Sequence, residues 1–157
     1  MCKVAVGLLA ALMCVVGEEL RAEALPQSLQ RQVLAVLGGP GPFGPKYCDS
    51  PVKEVPSEAV RTIDFNDDGV PDYVIEVGSY CMGCPNGGCI HQVWISQATG
   101  WFKAYEGGIR GVEGAARRKG RNVLLIHMHG GFCGGFGADE CRMQLRWNGR
   151  AIVEERR

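Results

Sequence analysis

Residues 64–72, DFNDDGVPD, bring four acidic side chains, one Asn and one Gly into nine positions. Like charges this close repel, and a divalent cation is the direct way to offset them. Asp64, Asn66, Asp68 and Asp72 stand at positions 1, 3, 5 and 9 of the stretch, with Gly69 at position 6 and the carbonyl of Val70 at position 7. Alternate side chains on a tightly curled loop converge on one centre. All the ligands offered are oxygens, the choice of a hard ion such as Ca2+. Asp67 falls between ligand positions and is expected to face solvent. The loop departs from the helix-flanked EF-hand pattern, which needs Glu at position 12; Ile75 stands there, and Glu76 comes one residue late. A site lacking that ligand is expected to be weak, with a dissociation constant of about 10⁻⁴ M, as in extracellular modules. The same residues also suit a bare acidic turn, since Asn, Asp and Gly are ordinary turn formers.

A second chemical set is CMGCPNGGCIH, with Cys81, Cys84, Cys89 and His91. Three thiolates and one imidazole would fit tetrahedral Zn2+ in a reducing compartment. In an oxidising one the cysteines go into disulfides. His127 and His129 lie two apart in NVLLIHMHGG and share one strand face, so they could present nitrogens to a metal or border a core. The Gly-rich loop after them carries Phe132 and Phe136 and could form a contact surface. No G-x-S-x-G, H-E-x-x-H or phosphate-binding glycine loop is present.

The elements that must position these residues follow from periodicity. PQSLQRQVLAVL, residues 26–37, spaces Leu29, Val33, Val36 and Leu37 as one helix face, and Gly38-Gly39-Pro40 ends it. A Pro- and Gly-rich strap runs on to residue 58. From Ala59 the pattern has period two, with strands expected over 60–64, 72–77, 90–96, 101–105, 111–117, 122–129, 141–147 and 151–155. In CRMQLRW, Cys141, Met143, Leu145 and Trp147 face one way and the polar residues the other. Asn148-Gly149, Lys119-Gly120 and Ala98-Thr99-Gly100 mark turns. Connections this short favour antiparallel neighbours. The fold class expected is mainly β: an antiparallel meander or small sandwich with one N-terminal helix.

Placed between two strands, D-x-N-x-D-G-x-x-D resembles the calcium loop of FG-GAP and VCBS-type repeats. The likeness covers residues 61–75, and it implies a calcium loop rather than a whole propeller. The order of charged loop, strand, SYCMGCPNGGC insert, strand and second Cys-closed loop is also similar to that of a group of small secreted proteobacterial proteins, a likeness that carries no activity with it.

Near its start the sequence carries Lys3, an apolar run from Val4 to Val16 and the small-x-small site Ala22-Glu23-Ala24. The run is shorter than the about 20 residues a spanning helix needs. These features describe a secretory signal cut after Ala24, leaving no membrane span. Met13 before Cys14 speaks against a lipoprotein signal. The domains expected are a signal over 1–24, a helix and strap over 25–58, and an antiparallel β domain with the calcium loop over 59–157. The chain carries 17 Lys+Arg and 17 Asp+Glu, a balance unlike that of a nucleic-acid binder. Arg117-Arg118-Lys119 with Arg121 is its one basic cluster and is expected at a solvated hairpin tip.

Past the signal six cysteines remain, Cys48, Cys81, Cys84, Cys89, Cys133 and Cys141, which reads as a disulfide framework. Six cysteines allow 15 pairings. The pairing expected is Cys133–Cys141 and Cys84–Cys89, each closing a short loop, with Cys48–Cys81 tying the N-terminal segment to the body. Together these features describe a periplasmic or secreted disulfide-bonded module with one structural Ca2+, meeting an unidentified protein or envelope component. The other class is a small zinc-dependent hydrolase or thiol-redox protein built on the Cys/His set.

Overall fold

The structure, a computed structural model, describes residues 24–39, 48, 52–81 and 83–157. The expected signal segment and most of the Pro/Gly strap lie outside the described residues. The first element is α1, Gln27–Leu37, which begins after Pro26 and closes where the Gly38 amide donates to the Leu34 carbonyl. Its buried face is Leu29, Val33 and Leu37, the helical spacing seen in the sequence.

Eight strands follow: β1 Val60–Ile63, β2 Asp72–Glu76, β3 Cys89–Gln97, β4 Gly100–Ile109, β5 Gly111–Arg118, β6 Arg121–His129, β7 Glu140–Trp147 and β8 Ile152–Arg156. A single-turn helix, α2 Gly78–Cys81, sits between β2 and β3. The strands form two sheets, β1-β2-β3-β4 and β5-β6-β7-β8, each antiparallel and each in chain order. The fold is therefore the mainly β, antiparallel architecture expected, realised as two stacked meanders.

Alternation dictates the stacking. Ile63, Val74, Val93, Ile95 and Ile109 of the first sheet meet Leu124, Ile126, Met128, Met143, Leu145, Trp147 and Ile152 of the second in one buried cluster. The opposite face of the first sheet supplies Val60, Tyr73, Ile75, Ile90 and Trp94, and α1 packs its Leu29, Val33 and Leu37 onto them. The order of layers is helix, sheet, sheet. Among the described residues no helix covers the far face of the second sheet.

Two boundaries differ from the periodic reading. β4 continues through Gly107-Gly108 to Ile109, where Gly107 pairs with His91 and Gly108 with Ile90. A Cβ on Gly107 would lie 2.4 Å from the Tyr105 hydroxyl. The glycine thus makes room for a ring, although it erases the apolar alternation. The β7–β8 connection spans residues 148–151 rather than two residues, because Asn148 Oδ1 accepts from the amides of both Arg150 and Ala151 (2.9 Å each) and widens the turn. The β5–β6 turn is tight: Lys119 and Gly120 have φ of 49° and 77°, matching a two-residue hairpin turn with both central residues left-handed.

Candidate functional site: the acidic loop between β1 and β2

The loop leaves β1 at Asp64 and enters β2 at Asp72. Phe65, 1% exposed, plugs into the core between the sheets and fixes the start of the loop. Asp67 (φ 58°) and Gly69 (φ 81°) are left-handed, which curls the chain between them.

The side chains face inward onto the loop's own backbone. Asp64 accepts from the amides of Asp68 (3.2 Å) and Gly69 (2.9 Å). Asn66 Oδ1 accepts from the Asp68 amide, while its Nδ2 donates to Asp68 Oδ2 (2.9 Å) and to the Ser96 carbonyl (3.3 Å). Asp68 Oδ1 accepts from the Val70 amide (2.7 Å), and its Oδ2 takes the Ser96 hydroxyl (3.2 Å). The Val70 amide, chiefly, holds the Asp68 carboxyl below its ordinary range.

Asp72 is different in kind. It is fully buried, and its two oxygens accept from the amides of Phe65 (2.8 Å) and Ser96 (2.7 Å). Burial pushes its carboxyl up to about 6, against the pull of those amides. This bonding gives Asp72 a structural role whatever else the loop holds.

The second sheet grips the loop from below. Asn122, 4% exposed, donates from Nδ2 to the Asp64 carbonyl (2.6 Å) and accepts from Arg117 (3.1 Å). Arg117 in turn pairs with Asp67 at 2.8 Å. Asp67, expected to face solvent, is thus held by a cation from the facing sheet. Asn122, Arg117 and Ser96 are the positioning residues that reading by motif passed over. Their one sequence signal is a polar residue, Asn122 or Ser96, directly beside the apolar run of its strand, VLLI or VWI.

The cysteines pair as Cys48–Cys81, Cys84–Cys89 and Cys133–Cys141. All three sulfurs of the Cys81, Cys84, Cys89 and His91 set are therefore in disulfides, and a disulfide sulfur is not the thiolate that binds zinc. His91 is 4% exposed, with Nδ1 2.9 Å from the Cys89 carbonyl and Nε2 3.5 Å from Glu76. Burial depresses its pKa, against the Cys89 carbonyl and Glu76. Among the described residues, Glu76, Cys84 and Cys89 bring their ligand atoms within 4.8 Å of one another, with Glu76 where Cys81 was expected.

His127 and His129 share the outer face of the second sheet but not a centre. His127 lies between two carboxylates, Nε2 against Glu113 and Nδ1 2.9 Å from Glu140. His129 Nδ1 accepts from the Gly131 amide and caps the short 3-10 helix at Gly130–Cys133. Phe132 and Phe136 stand out from that disulfide-closed loop, 56% and 85% exposed.

No protein-family model, no curated protein and no solved structure matches this chain. Residue chemistry and geometry therefore carry the functional reading.

Proposed function

We propose that the chain is an exported, disulfide-bonded β-sandwich module whose 64–72 loop takes up one structural Ca2+. Asp64, Asn66, Asp68 and the Val70 carbonyl would hold the ion, with Asp72 closing the base of the loop. The observation that carries this reading is a loop of oxygen donors pinned between two adjacent antiparallel strands, β1 and β2. That setting is the one in which the FG-GAP and VCBS-like pattern is expected to work. The donor chemistry fits a hard cation, and each oxygen of Asp64 accepts one amide while retaining a second lone pair. The ion would relieve the crowding of carboxylates and tie the two strands together. The role is binding or structural, toward a protein or another envelope component. Three disulfides in a small domain suit an oxidising compartment, as does the signal-like start of the sequence.

The test is thermal unfolding and calorimetric titration of the exported protein with CaCl2, with MgCl2 and EDTA as controls. At a hundredfold excess over the dissociation constant, bound Ca2+ adds about 2.7 kcal/mol. For a site of about 10⁻⁴ M that excess is reached near 10 mM. A calcium-specific, EDTA-reversible rise in Tm supports the reading. Identical curves in 10 mM CaCl2 and in EDTA leave the loop an acidic turn closed by its own amides.

One observation favours a second reading. If the Cys84–Cys89 bond is reduced, the neighbourhood of Glu76, Cys84, Cys89 and His91 supplies donors for Zn2+, as a zinc hydrolase or thiol-redox protein would need. A free-thiol count on protein purified without reductant separates the two: no free thiols favours the module, and two thiols, from Cys84 and Cys89, with bound zinc favours the enzyme.

A further inference from the structure

The uncovered face of the second sheet carries a cleft of about 950 Å³. Four of its cations come from the β5–β6 hairpin: Arg117, Arg118, Lys119 and Arg121. Three more, Arg146, Arg156 and Arg157, arrive from β7 and the end of the chain, and Glu155 is the single acid in the lining. The whole chain has 17 residues of each sign. Setting aside seven cations and one anion leaves ten positive against sixteen negative elsewhere, so charge is sharply segregated within a neutral protein.

Ion pairing does not account for this concentration. Glu155 is taken by Arg146, Arg157 turns to Glu113, and Arg117 turns to Asp67. Among the described residues Arg118, Lys119, Arg121 and Arg156 have no carboxylate within 4 Å. Arg121 reaches only the Trp147 carbonyl, at 3.4 Å. Arg118, Lys119 and Arg121 crowd one end of the concavity, with Lys119 also in the field of Glu155; they repel one another, and bound anions would relieve that repulsion.

The lining also narrows the ligand. It has no aromatic ring, so it lacks the platforms on which nucleic-acid bases stack. It is not the mainly apolar wall of a site for an ordinary small organic molecule. What it offers is guanidinium groups, which grip tetrahedral oxyanions through paired N–H donors, with the side chains of Gln144 and Asn148 beside them. β5 sets small residues, Gly114 and Ala116, opposite Leu125 and Val123 on this face, so this part of the strand raises no long side chain over it. We propose that the cleft is a binding site for a compact, multiply phosphorylated anion, either an oligophosphate or a small molecule bearing several phosphate esters.

The experiment is calorimetric titration of the full exported chain with sodium tripolyphosphate, in EDTA so that calcium binding plays no part. The variants are Arg118→Gln with Arg121→Gln, and a charge-matched control, Arg31→Gln with Lys53→Gln, two exposed sites outside the cleft lining. Near-UV circular dichroism checks the fold of each. The wild type is expected to bind saturably and to lose about tenfold in affinity from 50 to 200 mM NaCl, as contacts to phosphate do. The cleft variant should lose at least tenfold, and the control less than twofold. Replacing tripolyphosphate with a sugar bisphosphate identifies the source: tighter binding points to phosphate esters, weaker binding to a bare phosphate chain. No saturable heat from the wild type up to 1 mM tripolyphosphate, or equal losses in the two double variants, overturns the proposal. If the cleft variant does not fold, acetylation of Lys119 followed by mass spectrometry decides, since tripolyphosphate must protect that amine in the wild type, and unchanged labelling counts against the site.

Discussion

The Ser96 amide donates a 2.7 Å hydrogen bond to Asp72 Oδ1, joining the entry of β2 to the end of β3 through a side chain with no solvent exposure. The other oxygen of the same carboxylate holds the Phe65 amide. One buried group thus closes the loop at its base and locks it to the neighbouring strand.

Asp72→Ala strands both amides in the interior. Each buried donor left without a partner costs about 1–3 kcal/mol, so the expected loss for two is about 2–6 kcal/mol in urea unfolding. Asp72→Asn retains one acceptor and should lose less. Equal stability of the alanine variant and the wild type would mean that the carboxylate does not hold these amides.

The acidic positions of the loop should separate in their response to calcium. Asp64→Asn and Asp68→Asn each remove a charged ligand, and the calcium-induced rise in Tm is expected to fall by more than half. Asp67→Asn removes the partner of Arg117 and no proposed ligand, so it should retain the rise while lowering the baseline stability by less than about 1 kcal/mol. Differential scanning calorimetry with and without CaCl2 reads both effects.

The three disulfides span 33, 8 and 5 residues. On the chain-entropy scale their removal costs about 4, 2.5 and 2 kcal/mol respectively. Paired Cys→Ser variants should follow that order, with Cys48/Cys81 the most damaging because it also joins the segment after α1 to the body. Denaturant midpoints that rank the shortest loop first would refute the ordering.

A hydrogen bond from Arg157, chiefly, holds the Glu113 carboxyl below its ordinary value, with His127 and Arg142 adding to the effect. For a lowered carboxyl the sign is fixed: the stabilisation is complete above the unfolded pKa, about 4.3, and disappears as pH falls through the lower folded value. Glu113 is partly exposed, so the effect is small, about 0.5 kcal/mol. Urea midpoints measured from pH 6 down to pH 2 should decline more steeply for the wild type than for Glu113→Gln.

Much of the fold could be read from local pattern. The alternation in CRMQLRW places Cys141, Met143, Leu145 and Trp147 inside, as they are. The short spacing of Cys84 and Cys89, and of Cys133 and Cys141, favoured the pairings found. The candidate site was legible only in part, because its supports are distant in sequence. Asp67 meets Arg117 across 50 residues, and Asn122 reaches the Asp64 carbonyl across 58. Counting oxygen donors in DFNDDGVPD also misses the amides of Gly69, Val70 and Ser96 that already bind those oxygens. The basic run stands at the exposed β5–β6 tip, as its pattern led one to expect, but the arginines of β7 and β8 that line one cleft with it lie about 25 to 40 positions on. Only the packing of the second sheet brings them together.

Between Ile109, the last residue of β4, and Gly111, the first of β5, stands Arg110 alone. The chain therefore passes from one sheet to the other in a single residue, and no strand is exchanged between them. All strand pairing is closed within the stretches before and after that residue, yet each sheet alone would leave one greasy surface in water. Cut at Arg110, the protein becomes two complementary halves, each with its own hydrogen-bonded ladder and each needing the other to cover the apolar face between the sheets. Mixing the separate pieces should rebuild the sandwich, and any hinge between the two ladders has no more than one residue in which to bend.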